Sequence, residues 1–428
     1  MASFLVKNFG CRASQADGAA IEAGLLSKGL TATDLPEADL VVLNTCTVTA
    51  TADDEVRQVV RRIHREKPDA RILITGCYAQ RAPQELAALD GVSMVVGNSH
   101  KTRIPEFVTD NHYHGQIEIG DIFAQTDFLS APVEDAAGER TRPNLKIQDG
   151  CNNRCSFCII PSVRGRSRSA SIEQVVKQVS TLAAKYREVV LSGINLGRWG
   201  REWPGNTRLA DLVLTLLIET KIERLRLSSV EPMDFSDALL QLMANSPRIA
   251  EHVHAPLQSG SDTVLRRMHR KYRPRHYADR ILKARALMPD CAVGADVMTG
   301  FPGETDDEFA QSYAFIDSLP FTYLHVFTYS ERPGTPAAES PAQVPMAVRR
   351  ERTRLLRELA AKKSLEFRRS MVGKTLSAVT LDNGTALSGH YLKVSLAARR
   401  TANRIEDIRI GGLTTDGLCE VGTLPVLR

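Results

Sequence analysis

Three cysteines stand close together in the chain, in the run Cys151-Asn-Asn-Arg-Cys155-Ser-Phe-Cys158. Three thiolates on one C-x3-C-x2-C loop suit three corners of an iron–sulfur cluster. A structural zinc site is closed by four ligands, commonly two Cys-x2-Cys or Cys/His pairs. No fourth Cys or His lies in this loop, so the zinc alternative needs a distant fourth ligand. A four-iron cluster held by three thiolates keeps one iron without a protein ligand. There a substrate binds directly and receives an electron.

Three further cysteines are far apart in sequence but occupy equivalent positions. Phe9-Gly10-Cys11, Asn44-Thr45-Cys46 and Thr75-Gly76-Cys77 each follow an apolar run that reads as a strand. In a parallel layer the carboxyl ends of neighbouring strands face one edge, so the three sulfurs are expected to converge. That geometry suits a second cluster with one open iron; the alternative is three buried, inert thiols. Cys291, just before a strand, and Cys419, in the tail, have no such company and read as packed residues.

The elements that must position these thiols follow from the hydrophobic pattern. Residues 1–125 alternate short apolar runs (3–8, 40–45, 71–75, 92–96) with amphipathic stretches (19–28, 53–66, 84–89), which predicts a parallel α/β domain. Residues 126–140 lose periodicity and read as a linker. From 141 to 370 a second α/β series places strands at 145–148, 188–192, 224–228, 252–256, 293–298 and 323–328. Helices are predicted at 172–186, 209–218 and 308–318, and a basic helix at 341–370. Periodicity leaves open whether these six βα units make a doubly wound sheet or an incomplete barrel. Residues 371–428 turn to short β pieces at 376–381, 391–396, 405–410 and 419–421. Asp-Asn-Gly at 382–384 and Gly-Gly at 411–412 serve as turns, which predicts a small β-barrel.

The triplet's spacing, at the end of the first strand of a βα series, resembles the radical S-adenosylmethionine (SAM) superfamily. That resemblance implies a partial (β/α)6 barrel. It also implies SAM chelated to the open iron and cleaved by one electron to a 5′-deoxyadenosyl radical. Small and polar residues at later strand ends suit a SAM pocket, since ligands bind there in α/β folds. The candidates are Ser192, Gly193, Ser229, Gln258 and Gly300.

Taken with the second triad and the β tail, the chain resembles the methylthiotransferase family over essentially its whole length. The resemblance implies an auxiliary [4Fe–4S] cluster on Cys11, Cys46 and Cys77, and a radical-SAM [4Fe–4S] cluster on Cys151, Cys155 and Cys158. It also implies a C-terminal TRAM-like RNA-binding barrel. Asn44-Thr-Cys-Thr-Val-Thr49, Asp149–Pro161, Val163-Arg-Gly-Arg-Ser-Arg-Ser169, Ser228-Ser-Val-Glu-Pro232 and Arg332-Pro-Gly-Thr-Pro336 are most similar to one branch. That branch adds a methylthio group at C2 of N6-threonylcarbamoyladenosine beside the tRNA anticodon. The same chemistry on isopentenyladenosine or on a ribosomal-protein aspartate, and a non-catalytic iron–sulfur RNA-binding protein, are the alternatives. The chain departs from the family pattern at Ser14, where Asn is usual, and in the tail after Ala398. No side chain is expected to be catalytic in its own right, because the radical is borne by the cofactor.

Composition and charge set the remaining expectations. At 428 residues and 43% hydrophobic, the chain exceeds one ordinary domain and has ample material for cores. Its apolar runs, such as Leu212–Ile218, are far shorter than the roughly 18–20 residues a membrane span needs. The start, Met1-Ala-Ser-Phe-Leu-Val-Lys-Asn, lacks a secretory pattern. A cytoplasmic location, with thiols kept reduced, is therefore expected. The net charge of +5 is a cancellation. Residues 139–168 carry seven Lys/Arg against two acids, 264–275 six against none, and 341–370 nine against three, leaving −12 elsewhere. Clustered cations on an acidic background suit a phosphate backbone, and tRNA is the expected partner together with an electron donor. Solvated charged faces are the alternative.

Overall fold

A computed structural model of the chain describes residues 3–109, 116–126, 128 and 141–422. The first sheet holds β1 (Ser3–Asn8), β2 (Thr31–Ala32), β3 (Leu40–Thr45), β4 (Arg71–Gly76), β5 (Val92–Gly97) and β6 (Ile117–Glu118). Its order is β2-β1-β3-β4-β5-β6, all parallel. Helices on both faces explain why β3 is buried along its whole length. The helix Ala50–Glu66 shows the pattern at work. It presents Val56, Val59, Val60 and Ile63 to the sheet, and the Thr49 hydroxyl caps it by accepting from Ala52 N. The first helix spans Arg12–Ser27, longer than the 19–28 stretch expected, because Cys11 itself stands at its N-cap. The expected linker, 126–140, lies outside the described residues except for 126 and 128.

The second series comprises β7 (Asn144–Asp149), β8 (Arg168–Ser169), β9 (Glu188–Gly193), β10 (Arg224–Leu227), β11 (His252–His254), β12 (Ala292–Thr299) and β13 (Tyr323–Thr328). The parallel runs β7-β9-β10 and β11-β12-β13 are joined by a parallel bridge between Leu225 and Ile249. Parallel strands following one another in chain order wind in one direction, as in a barrel. A doubly wound sheet reverses, as the first sheet does between β2-β1 and β3. That resolves what periodicity left open. Among the described residues β13 pairs only with β12, so the barrel is partial. One continuous core runs from Leu145 to Leu359 beneath it.

The long helix is Met346–Ser370 and buries Leu356, Leu359 and Phe367. It delivers the chain to a closed barrel of β14 (Thr375–Thr380), β15 (Thr385–Ser388), β16 (Lys393–Ser395), β17 (Ile405–Leu413) and β18 (Leu418–Glu420). The β15 strand was not expected from the sequence; with Thr-Ala-Leu-Ser it is too short to show alternation. Gly411-Gly412 is not a turn either. Both residues lie inside β17, where the register against β18 shifts, so the glycines make a bulge rather than a reversal. No helix among the described residues is long and apolar enough to cross a membrane.

Candidate functional site: two thiol triads and an adjoining cavity

Strands β1, β3 and β4 are neighbours, and Asn8 pairs with Asn44 while Thr45 pairs with Gly76. Cys46 and Cys77 thus leave adjacent strands in register, and Cys11 follows the third strand. Two backbone positions make the approach possible. Gly10 has φ +94°, and a Cβ there would sit 2.5 Å from Cys46 Cβ. Gly76 has φ +101°, and its Cβ would meet Thr45 O at 2.3 Å. The Asn44–Thr49 motif fixes the ends. Asn44 Nδ2 donates to Asn8 Oδ1 (2.9 Å) and Ser14 O (2.6 Å), and Thr45 Oγ1 donates to Thr75 O (2.6 Å). Cys46 and Cys77 are buried and Cys11 is exposed. Burial, and then the nearby Cys77 thiol, push the Cys46 thiol up to about 12. It therefore stays protonated unless a metal displaces the proton.

The second triad is held by one loop. Cys151 N donates to Gly165 O (3.1 Å) and Cys158 N to Cys155 O (3.1 Å). Ser156, between them, is pinned by N to Met268 O (3.2 Å) and by Oγ to Arg267 O (2.7 Å). Donors aim at the sulfurs. Cys151 Sγ faces Asn153 N (3.4 Å) and Asn195 Nδ2 (3.6 Å), and Cys155 Sγ faces Arg270 Nη1 (3.2 Å). Glu231 of the Ser228–Pro232 motif orients that arginine through a 2.5 Å ion pair. Burial pushes Cys158 up to about 12. None of the six thiols is in a disulfide. Sulfurs ringed by N–H and guanidinium donors suit thiolates on iron. Asn195 Oδ1, buried beside Cys151, has no partner and leaves an acceptor open there. The residues present fit a cluster at both triads.

The two triads touch through the segment after Cys158. Ile159, Ile160 and Val163 pack against Cys77. Arg164, 2% exposed, donates through Nε to Cys77 Sγ (3.3 Å) and through its Nη atoms to Asp149 (2.9 Å) and Asp17 (3.0 Å). Lys101 and Lys146 complete the buried group on Asp17, and Lys146 also meets Asp149 at 2.9 Å. Two carboxylates thus face three buried cations, and the surplus positive charge points at Cys77. Ser14, the position that departs from the family pattern, is part of this contact: its Oγ lies 3.4 Å from Arg164 Nη2 and 3.7 Å from Cys11 Sγ. A second strap comes from the Arg332–Pro336 motif. Arg332 Nη1 reaches Asp53 Oδ2 (2.7 Å) and Thr47 O (3.3 Å) beside Cys46, while Ala337 N donates to Ser156 O (2.9 Å) beside Cys155. Sequence reasoning missed Asp17, Asp53, Lys101, Glu231 and Arg270. Buried charges on helices and loops carry no local pattern, and only the motifs that contain Arg164, Glu231 and Arg332 hinted at them.

A cavity of about 560 Å³ opens inside the partial barrel, within the range of small-molecule sites. Cys11 and Ile160 border it on one side, and Tyr391 of the C-terminal barrel, stacked on His252 at 4.8 Å, borders it on another. Of the five expected SAM-pocket residues, Ser192, Gly193 and Ser229 line it. Gln258 lies between β11 and β12 territory, bridged to Val297, and is not in the lining. Gly300 packs under Arg349 of the long helix, where a Cβ would meet Arg349 Cγ at 2.3 Å, and is also outside the lining. Cys291 and Cys419 are buried away from both triads: Cys291 Sγ donates to Ala292 O (3.3 Å), and Cys419 sits in β18. The basic runs divide in three dimensions. Lys146, Arg164, Arg270, Arg349, Arg352 and Lys363 are buried, so the summed charge along the sequence overstates what the surface presents. Arg154, Arg166, Lys271, Arg350 and Lys362 remain exposed.

The partial barrel and its three-thiol loop define a radical SAM protein. Residues 145–316 match the radical SAM superfamily, and residues 3–97 match the family described as uncharacterized protein family UPF0004. The chain is 40% identical to the threonylcarbamoyladenosine tRNA methylthiotransferase MtaB of Bacillus subtilis over 86% of its own length and 82% of that protein's. It is 35% identical to the Aquifex aeolicus protein of the same name, covering 94% and 99%. It is 33% identical to a tRNA-2-methylthio-N(6)-dimethylallyladenosine synthase of Acidothermus cellulolyticus, covering 89% and 78%. The cobalamin-dependent SAM radical enzyme OxsB shares the fold, with a TM-score of 0.51 at 13% identity over 85% of this chain and 56% of that one. The chain belongs to the radical SAM methylthiotransferase family, in its MtaB branch. It is an enzyme whose cofactors are SAM and iron–sulfur clusters.

Proposed function

We propose that the protein adds a methylthio group at C2 of N6-threonylcarbamoyladenosine in tRNA, in the cytoplasm. The observation that carries this is the meeting of two thiol triads across the Ile159–Arg164 segment, with Cys11 opening onto the same cavity as Ser192, Gly193 and Ser229. Cys151, Cys155 and Cys158 are assigned to the [4Fe–4S] cluster that engages SAM, and Cys11, Cys46 and Cys77 to an auxiliary [4Fe–4S] cluster. When bound, these groups supply the radical that removes an unactivated aromatic hydrogen and the sulfur that replaces it.

The chain's own residues do the holding. Arg270 and Asn195 orient the loop thiols, and Arg164 orients Cys77 and balances its charge. The apolar side chains of Ile159, Ile160 and Val163 exclude water between the triads. Ser192, Gly193 and Ser229 offer small, close-approach walls for a nucleoside. Exposed Arg154, Arg166 and Lys271 are assigned to tRNA phosphates, with the C-terminal barrel as an RNA-binding TRAM-like unit. The deciding measurement is mass spectrometry of tRNA nucleosides from a deletion strain. The expected result is loss of 2-methylthio-threonylcarbamoyladenosine with unmethylthiolated precursor accumulating. Loss of the dimethylallyladenosine product in its place moves the assignment to the relatives that carry that name.

A further inference from the structure

The walls of the barrel cavity carry a polar group that neither thiol triad uses. Asp296 and His325 are register partners on β12 and β13, and His254 stands on the adjoining β11. The two carboxylate oxygens of Asp296 face one histidine each: Oδ2 meets His254 Nε2 at 3.2 Å and Oδ1 meets His325 Nδ1 at 3.1 Å. His254 is fixed from behind by Tyr323 Oη (2.8 Å), which also contacts His252 Nε2 (2.6 Å). His325 is half exposed, so its ring is available to a guest. Burial opposes ionisation of Asp296, but the hydrogen bonds from His254 and then His325 outweigh it and hold the carboxyl below its usual range.

Arg12 lines the same cavity, and its charge reaches His252. Among the described residues no carboxylate lies within ion-pair distance of Arg12. The other guanidinium in the lining is already committed: Arg226 is paired with Glu188 and donates to Ser388 O and Gly389 O. The cavity therefore holds one free cation at its edge and one carboxylate flanked by two histidines inside.

We propose that Arg12, Asp296 and His325 form the subsite for the N6 substituent of the substrate base, and that they select a carboxylate-bearing ureido group over an apolar one. This rests on the function proposed above. A threonylcarbamoyl group ends in a carboxylate, which suits the planar fork of a free guanidinium. Its urea N–H groups and its hydroxyl are donors, which suit the remaining lone pairs of the Asp296 oxygens and the outer ring nitrogen of His325, an acceptor while Nδ1 donates to Asp296. A dimethylallyl group satisfies none of these and leaves them desolvated and unpaired, which is the strong form of discrimination.

The test is binding of the holoenzyme to three anticodon stem-loops, bearing threonylcarbamoyladenosine, dimethylallyladenosine or plain adenosine, by fluorescence anisotropy. Wild type is expected to prefer the first by about ten-fold or more over both others. Arg12→Gln and His325→Leu are each expected to reduce that preference to about three-fold or less, with iron content and the visible spectrum confirming that the clusters are retained. Two variants on different elements guard against a local folding defect at Arg12, which begins a helix. Retention of the wild-type preference in both variants overturns the subsite alone. Equal binding of all three stem-loops by wild type overturns the threonylcarbamoyl reading and the subsite with it. A divalent metal beyond cluster iron that is present in wild type and lost in His325→Leu also overturns the subsite, in favour of a His254–Asp296–His325 metal site.

Discussion

Cys151, Cys155 and Cys158 come from eight consecutive residues, whereas Cys11, Cys46 and Cys77 come from the ends of three separate strands. Both sets hold three thiols, with nitrogen donors on Cys77 in one and on Cys151 and Cys155 in the other, but they depend on different things. The loop triad needs one strand end and the pins on Ser156. The dispersed triad needs the register of β1, β3 and β4, the two left-handed glycines and the Asn44 hydrogen bonds. Chain proximity alone gathers the first, which residues 267–270 then pin, and only the finished fold gathers the second. The sites are also joined, through Arg164 and through the strap that carries Arg332. Damage to the fold should therefore reach the dispersed triad first.

The sharpest way to break this comparison is to remove one thiol from each site. Cys151→Ala should abolish SAM cleavage, with no 5′-deoxyadenosine above background after reduction. Cys46→Ala should retain cleavage and lose the methylthiolated product. Each variant should hold about four irons after anaerobic reconstitution where the wild type holds about eight. Cleavage lost in both variants would mean that the dispersed triad supports the loop triad structurally, and the two are not separable sites.

Arg164 tests the joint between them. Removing Arg164 takes a shared partner from Asp17 and Asp149, and breaking such a buried ion group costs up to about 3–5 kcal/mol. Arg164→Met is expected to lower the unfolding free energy measured in urea by up to that amount and to shift the spectrum of the auxiliary cluster, because the guanidinium is 3.3 Å from Cys77 Sγ. Arg164→Lys keeps the charge and loses the fork, so it should recover part of the stability and little of the spectrum. An unchanged spectrum in both would show that Arg164 serves only the interface.

How much of this was legible beforehand follows the same division. The triplet announced itself by spacing, and β1, β3 and β13 ran where their apolar runs predicted. The convergence of Cys11, Cys46 and Cys77 was inferred from strand ends, and the sheet order makes those three strands neighbours. What stayed hidden was whatever depends on side chains meeting across the fold. Arg164 and Lys146 counted as surface cations in a basic run, yet both are buried on Asp17 and Asp149. Gly411-Gly412 looked like a reversal because pattern does not separate a turn from a bulge. The His254–Asp296–His325 group joins three strands whose residues are ordinary one at a time.

Acid should open the joint before it touches the loop. Asp17 is lowered from 3.8 to about 2: burial raises it, but Lys101, Lys146 and Arg164 together prevail. Asp149 is lowered as well, against its burial, by Lys146 and then Arg164. A carboxyl whose folded pKa lies below its unfolded one stabilises fully above the unfolded value and loses that contribution as pH falls through the folded one. Stability of the metal-free chain should therefore drop as pH falls from about 4 towards 2, an effect of roughly 2 kcal/mol for Asp17. Asp17→Asn should be less stable at pH 7 and show a flatter profile over that interval. An equal slope in variant and wild type would assign the acid loss to other carboxylates.

The smallest expected effect separates stability from site integrity. Thr49 caps the helix that follows Cys46, and Ser171 caps the helix Ile172–Lys185, which follows the loop triad in the chain and not the dispersed one. Replacing either by Ala removes one side-chain acceptor from a helix start, a loss of about 1 kcal/mol in each case. If the dispersed triad depends on tertiary register, the two variants should lose similar stability with unequal consequences. Thr49→Ala lets the turn after Cys46 fray, so its auxiliary iron should fall on dilution, while Ser171→Ala keeps both clusters. The loop triad should be insensitive to either change, because its pins come from Gly165, Met268 and Arg267. Equal iron loss in the two variants would make cluster retention a matter of global stability alone, and the contrast between a local and an assembled site would lose its physical basis.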